Sequence, residues 1–339
     1  MVAALAVGLA AMFVLSLILG STSVPIGHVV AALSGVSDDT DPLGVVVHTI
    51  RLPRSLTAML AGASLGIAGL QMQTLFRNPL ADPFVLGISS GASLGVALVV
   101  LASGVGAPVG FGAALGLGGD AAITAAAIVG AAGVLGLVLS ASARIGNPAT
   151  ILILGLMCGY AGSALVTVLV AASEPERLQQ WAQWGFGSFS GVTWERLRLF
   201  APLTVVGLLM AALTTKQLNA LLLGETYARS MGMPVHPVRL ITMGGASLLA
   251  AVVTAFCGPI AFLGVAVPHV CRGLLGTSDH RALVPAVVLM GGVAALSAQT
   301  LSLLPGTTGV LPLNAVTALL GAPIVVIVLL RTRRGTLSA

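Results

Sequence analysis

The sequence predicts an all-α integral membrane protein with ten transmembrane helices. Only 7% of the 339 residues are charged, 57% are hydrophobic, and the mean hydropathy is +1.07. A soluble domain carries about 25% charged residues, so this chain has too few charges to cover a surface facing water. Apolar runs of about 20 residues recur along the chain, which is the length that a helix needs to cross a bilayer. A membrane barrel would instead show short alternating strands.

The apolar runs, read in order, place the spans between the prolines, glycines and charged residues that interrupt them. The 43 glycines suit helices that approach one another closely through small residues. No polar stretch is long enough for a soluble domain, so residues 1–339 are interpreted as one transmembrane domain. The spans are expected at about 2–20, 54–76, 86–104, 121–140, 149–172, 195–214, 237–256, 258–275, 282–303 and 311–330.

The basic residues predict the orientation of these spans. An even number of spans places both ends of the chain on one side of the membrane. With both ends in the cytoplasm, ten of the 15 basic residues are cytoplasmic and five are outside, which agrees with the excess of Lys and Arg in cytoplasmic loops. The pI near 9.9 therefore marks topology and does not indicate nucleic-acid binding. The first run, 2–20, could also be a signal peptide, but it lacks a basic region before it, so a retained helix is favoured.

Three segments between the spans have their own character. Residues 25–36 are expected to form a short amphipathic helix at the outer surface. Residues 173–199 contain all three tryptophans, which are typical of the boundary between membrane and water. Residues 213–240 form the longest cytoplasmic loop and contain the only lysine.

Catalytic chemistry is not indicated. GISSG at 87–91 has the spacing of a nucleophilic serine turn, but that turn needs a strand before it and a histidine with a carboxylate beside it. Here both flanks are helical spans, so small residues that start and pack a helix are the favoured interpretation. The five histidines and three cysteines show no metal-ligand spacing, and the sequence around Lys216 does not form a phosphate-binding loop. We expect no catalytic residue, metal site or cofactor in this chain.

Energy for transport would then have to come from another protein. Secondary transporters need ionisable groups within the membrane, and the predicted spans contain almost none near their centres. In the 213–240 loop, a leucine-rich segment is followed by Gly224 and then by Glu225, a pattern that indicates two short helices. From the residues alone, an amphipathic loop lying on the membrane surface is an equal alternative.

The sequence also resembles a known family. RLPRSLTAMLAGASLGIAGLQMQTLFRNPLADPFVLGISSGAS at 51–93 is similar to a motif block of the FecCD-like permeases. These are the membrane subunits of ABC importers for iron–siderophores, heme and cobalamin. Three further blocks agree in the same order: LNALLLGETYARSMGM, GPIAFLGVAVPHVCRGLLGTSDHR and LPLNAVTALLGAPIVVIVLLR.

The resemblance implies the type II ABC importer permease fold in the bacterial inner membrane. It implies a homodimer with two copies of a separate ATPase, which binds ATP and Mg, and a periplasmic or lipid-anchored substrate-binding protein outside. The 213–240 loop would hold the helices that couple to the ATPase, and we call it the coupling loop. Its implied contact residues are Leu218, Asn219, Leu222, Gly224, Glu225, Ala228 and Gly232.

Two other sites follow from the resemblance alone. Arg51 and Arg54 match outward-facing arginines that meet acidic residues of the binding protein, with anchoring to lipid headgroups as the alternative. Asn78, Pro79 and Leu80 match the cytoplasmic gate. The family's charged residues near the end of the ninth span are absent here, where the chain reads SAQTLSLLPGTTGVLPLN. The expected function is translocation of an iron chelate, heme or cobalamin-type substrate, and the alternative is a stand-alone secondary transporter or channel.

Overall fold

Every regular element in the described part of the chain is helical. The computed structural model describes residues 1–20, 23–34, 41–101, 119–145, 147–303 and 310–336. A π-helical turn, Val47–Arg51, precedes α4, and a 3-10 turn, Pro83–Leu86, precedes α5. The helices are α1 (Val2–Ile18), α2 (Ile26–Ser34), α3 (Pro42–Val46), α4 (Leu52–Leu75), α5 (Ile88–Val100), α6 (Gly119–Arg144), α7 (Pro148–Ala171), α8 (Pro175–Gly185), α9 (Trp194–Leu213), α10 (Thr215–Leu222), α11 (Glu225–Ser230), α12 (Val235–Cys257), α13 (Leu263–Leu275), α14 (His280–Ser302) and α15 (Leu313–Thr336).

Each of the ten predicted spans coincides with an apolar helix. Within the described ranges, six helices are long and apolar enough to cross a membrane, namely α4 together with α3 and the π-helical turn before it, α6, α7, α9, α12 and α14. The apolar helices α1, α5 and α13 are shorter, and α15 contributes the apolar stretch Leu313–Ile327. The chain is therefore a multi-pass membrane protein, as the composition predicts.

The eighth span starts later than predicted. The sequence places it at 258–275, but α13 begins only at Leu263. Gly258 has φ of +75° and Phe262 has φ of +69°, so the backbone on both sides of Pro259 leaves the helical region. The predicted end of the third span, at 104, lies outside the described residues.

Helix α4 is the centre of the bundle. Every residue from Ala61 to Leu75 is buried, and α9, α12, α13 and α14 pack around it. Glycines allow this helix to touch its neighbours backbone to backbone. A Cβ added at Gly62 would lie 2.1 Å from the carbonyl oxygen of Gly291 in α14, and one at Gly69 would lie 1.8 Å from that of Gly264 in α13. Larger residues at these points would force the helices apart.

The GISSG segment is a packing element, in agreement with the sequence interpretation. Gly87 has φ of +80° and joins the 3-10 turn to α5. A Cβ added at Gly91 would lie 2.5 Å from the carbonyl oxygen of Gly130 in α6, and one at Gly162 of α7 would lie 3.4 Å from Ser90 Cβ. The serines thus lie where three helices meet closely.

Replacing Gly69 by alanine tests the central packing. We expect Gly69→Ala to lower the thermal midpoint of the purified protein, because overpacking of a dense core costs about 1–3 kcal/mol. Gly244→Ala in α12 is the matched control, because a Cβ there would meet nothing within 4 Å. Equal thermal midpoints for the two variants in detergent would contradict the packing described here.

Candidate coupling and gating site

The coupling loop forms two short helices, as its sequence pattern predicts. Helix α10 ends at Leu222, and α11 begins at Glu225. Gly224 between them has φ of +104°, a conformation that residues with a side chain rarely adopt. Gly232, with φ of +80°, follows the end of α11. The two glycines therefore set the directions in which the chain enters and leaves α11.

The loop has one face on the bundle and one face directed away from it. Leu218, Leu221 and Ala228 are buried against the neighbouring helices. On the other face lie Leu222, Leu223, Tyr227 and Met231, whose exposed fractions are 38%, 64%, 52% and 52%. An exposed apolar patch beside polar residues is typical of a protein contact surface.

Glu225 is paired within the chain. Its carboxylate forms an ion pair with the guanidinium of Arg239, which is only 2% exposed, and lies 3.6 Å from that of Arg229. The charge of Glu225 thus offsets a buried cation at the start of α12. This internal role was not foreseen, since the resemblance implied only a contact with the ATPase.

Asn219 is also directed inward. Its Nδ2 donates to Asp279 Oδ1 at 2.6 Å, and its Oδ1 accepts from the backbone N–H of His280 at 2.8 Å. Asp279 caps α14 by accepting from the N–H of Arg281, and this hydrogen bond, with that from Asn219, lowers the pKa of its carboxyl group. Helix α10 is therefore fastened to the start of α14.

The predicted gate turn lies beside this loop. Asn78, Pro79 and Leu80 are exposed in the turn that follows α4, and Asn78 Oδ1 accepts from the N–H of Leu80 at 2.9 Å. Arg77 has φ of +48°, and a Cβ added at Gly224 would lie 3.7 Å from its Nη1. This proximity, which was not predicted from the sequence, puts the gate turn next to the break between α10 and α11.

Asp82 closes the turn on the bundle side. Its Oδ1 accepts from the N–H of Phe84 at 2.8 Å, and a Cβ added at Gly264 would lie 2.8 Å from its Oδ2. Burial of the carboxyl group raises its pKa from 3.8 to about 6, although the hydrogen bond from Phe84 acts in the opposite direction. The turn thus holds a carboxyl group that favours its protonated form more than a free aspartate does.

The two arginines expected to face outward lie at the opposite end of α4 and differ from each other. Arg51 is only 6% exposed, and its Nη1 donates to the carbonyl oxygens of Leu17 and Ile18 at 2.8 Å. It therefore caps the end of α1, and its contact with a binding protein stays a prediction. Arg54 is half-buried, donates to the hydroxyl of Ser190 and lines a cavity of about 230 Å³.

Sequence reasoning missed the polar contacts that hold these parts together. Gln71, Gln73 and Thr74 are buried in the last turn of α4, and His280 is buried at the start of α14. The available signal was the occurrence of three polar residues, Gln71, Gln73 and Thr74, within four positions near the end of this membrane-spanning helix. In the described residues, no three His, Cys, Asp or Glu side chains come together as metal ligands.

The chain can be compared with known proteins at this point. It matches the FecCD transport family over residues 8–331. It is 37% identical over 288 residues to the vitamin B12 import system permease protein BtuC of Klebsiella pneumoniae subsp. pneumoniae. The aligned residues cover 85% of this chain and 83% of that protein. The BtuC protein of Citrobacter koseri is 35% identical over 290 residues, covering 85% and 84%.

Solved structures agree with this assignment. An inward-facing structure of an ABC transporter described as of the metal-chelate type matches with a TM-score of 0.83 and 27% identity, over 97% of this chain and 98% of that one. PsaBC from Streptococcus pneumoniae matches with a TM-score of 0.52 and 16% identity, over 88% and 94%, and supports the fold alone. The chain belongs to the FecCD transport family, and it is an ABC importer permease.

The pKa of Asp82 predicts a pH dependence of stability. The carboxyl group of Asp82 binds its proton more tightly in the folded protein than in the unfolded chain. Its contribution to the free energy of unfolding is therefore fully present below about pH 4 and is lost as the pH rises through about 6. Asp82→Asn keeps a capping oxygen but does not titrate, so we expect a smaller difference between the thermal midpoints at about pH 4 and about pH 7.

Thermal unfolding in detergent at both pH values measures this effect. Asp120→Asn, which removes a carboxylate whose side chain is 82% exposed, is the control for the loss of one charge. If Asp82→Asn kept the full pH dependence of the unsubstituted protein, the role given to Asp82 would be wrong.

Proposed function

We propose that this chain forms the membrane pathway of a binding-protein-dependent importer for a bulky metal chelate, with a cobalamin-type compound as the favoured substrate. Vitamin B12 import is the role named for the BtuC relatives, and the metal-chelate type is named for the closely matching structure. Iron–siderophore and heme complexes belong to the same chemical class, because each is a metal held in a large organic ligand.

The observation that carries the proposal is the exposed apolar face of the coupling loop. Leu223, Tyr227 and Met231 are each more than half exposed on short helices that project from the bundle. We propose that a separate ATPase, which binds ATP and Mg, covers this face. Two ATPase copies would serve a homodimer, whose second copy would pack against α7, where Tyr160 and Val168 are 63% and 67% exposed.

The membrane orientation follows from that contact. An ATPase that uses cellular ATP places the coupling loop and both chain termini in the cytoplasm, with the chain in the bacterial inner membrane. The opposite end of α4 would then face the binding protein. Of the two arginines considered for docking, only Arg54 has an accessible position beside a cavity, so we propose that it carries this contact and that Arg51 does not.

Uptake into proteoliposomes tests the function. The permease is reconstituted with its ATPase and binding protein, and accumulation of labelled cyanocobalamin is measured with and without ATP. We expect ATP-dependent uptake that requires all three components. A ferric siderophore and heme are measured in parallel, and uptake of one of these alone would keep the importer and overturn the cobalamin preference. Uptake by the permease alone, driven by an ion gradient, would support the secondary transporter and overturn the proposal.

A substitution in the exposed face tests the ATPase contact. We expect Leu223→Asp to raise the dissociation constant for the ATPase about tenfold or more, since burial of a leucine contributes about 1.5–3 kcal/mol. Leu223→Met is the matched control, because it keeps the volume and apolar character of the side chain. The dissociation constants are measured with each permease variant in nanodiscs. Equal dissociation constants for Leu223→Asp and Leu223→Met would mean that the ATPase binds elsewhere.

A further inference from the structure

We propose that a buried hydrogen-bonded relay, Thr74–His280–Asn219, ties the coupling helix α10 to the gate turn and carries its movement there. The proposal rests on the function given above. It assigns Thr74 and His280 as positioning residues of the transport cycle, and it gives Asn219 an internal role in place of a direct contact with the ATPase.

The relay begins at the exposed carboxylate of Asp279, which fixes the orientation of each following group. A carboxylate can only accept, so the Asn219 atom that lies 2.6 Å from it is the donating Nδ2. The carbonyl oxygen of Asn219 therefore faces His280, whose Nδ1 lies 2.8 Å away and must donate its proton. In a neutral imidazole the other nitrogen, Nε2, is then an acceptor.

Thr74 completes the relay from the other side. Its hydroxyl group lies 2.9 Å from two acceptors, His280 Nε2 and the carbonyl oxygen of Leu70, and shares its single proton between them. His280 is fully buried and Thr74 is only 4% exposed. A buried polar group that loses its partner is costly, so separation of α10 from α4 would be opposed at this point.

A second contact joins the start of α10 to the same turn of α4. Gln71 Nε2 lies 3.4 Å from the hydroxyl of Thr214, the residue that precedes α10. Gln71 Oε1 is buried and has no hydrogen-bond partner among the described residues. The coupling helix is thus linked to residues 71–74 at its start, through Thr214, and from its middle, through Asn219 and His280. The unpaired Gln71 Oε1 is an acceptor that a shifted helix could satisfy.

The gate turn follows directly along the chain. Only Leu75, Phe76 and Arg77 separate Thr74 from Asn78, and a Cβ at Gly224 would lie 3.7 Å from Arg77 Nη1. Gln73 anchors the same turn to α13, since its Nε2 donates to the carbonyl oxygens of Gly264 and Val265 at 3.3 Å. A movement of α10 that displaces Thr74 therefore displaces the gate turn relative to α13, to which Gln73 remains hydrogen-bonded.

Threonine variants within α4 separate transmission from mere fastening. Thr74→Val removes the hydroxyl group and keeps the shape, whereas Thr74→Ser keeps the hydroxyl group. Thr57→Val is the matched control, because Thr57 is fully buried in the same helix and its hydroxyl group donates, within the part of the chain that the structure describes, to the carbonyl oxygen of Pro53 at 2.7 Å. All three are made in a Cys158→Ser background that carries Leu80→Cys at the gate turn, leaving Cys257 and Cys271 buried.

The readout is maleimide labelling of Leu80→Cys in the permease–ATPase complex, with and without ATP, together with the affinity of the ATPase for the permease. We expect ATP to change the labelling rate in the parent, Thr74→Ser and Thr57→Val proteins. In Thr74→Val that change should shrink about fivefold or more, the lower end of typical coupling between sites, while ATPase affinity stays the same. Adding Asn219→Ala to Thr74→Val should reduce it no further, because both substitutions break one relay.

Two results would overturn the relay. One is an ATP-dependent change in the labelling rate of Leu80→Cys that is equal in Thr74→Val and Thr57→Val. The other is a smaller change in the Thr74→Val, Asn219→Ala double variant than in Thr74→Val. Failure of the parent protein to bind the ATPase at all would instead overturn the proposed function. If Thr74→Val does not fold, the comparison of Asn219→Ala with the parent gives the same decision.

Discussion

The structure depends on the close burial of α4. Gly62 and Gly69 bring its backbone against those of α14 and α13, and this direct backbone contact adds to the packing of its large buried side chains. In a membrane, where lipid is as apolar as the helices, such close contact is a main source of association. A helix fixed in this way along its length can still respond at its end, where the contacts are hydrogen bonds between polar side chains.

The coupling loop shows how that end is connected. Leu218 and Ala228 attach the loop to the bundle by apolar burial, and Glu225 pairs with the buried Arg239. Each of these internal contacts uses a residue that the family resemblance assigned to the ATPase. The apolar face that remains outside, around Leu223 and Tyr227, is thus distinct from the contacts that attach the loop to the bundle.

Much of the fold could be predicted from the sequence, because the length and spacing of apolar runs are dictated by the bilayer. The break at Gly224 was also predictable, since a glycine between two amphipathic segments allows a backbone that other residues resist. The burial of Arg51 was not predictable, because a charge beside an apolar run faces water as readily as it caps the carbonyl end of a helix far away in sequence. The pairing of Thr74 with His280 was also not predictable, because the two residues are 206 positions apart in the sequence.

The central claim is that the coupling helices and the gate turn move as one unit. Spin labels at Lys216→Cys in α10 and Leu80→Cys, both at exposed positions in the same subunit and outside the apolar face proposed for the ATPase, measure this directly by electron paramagnetic resonance. The permease–ATPase complex is compared without nucleotide and after trapping with ATP and vanadate. The account predicts that the distance between the two labels within a subunit stays unchanged while the distance between the Leu80→Cys labels of the two subunits changes. A change in the Lys216–Leu80 distance on ATP binding, with the gate turns unmoved, would contradict it.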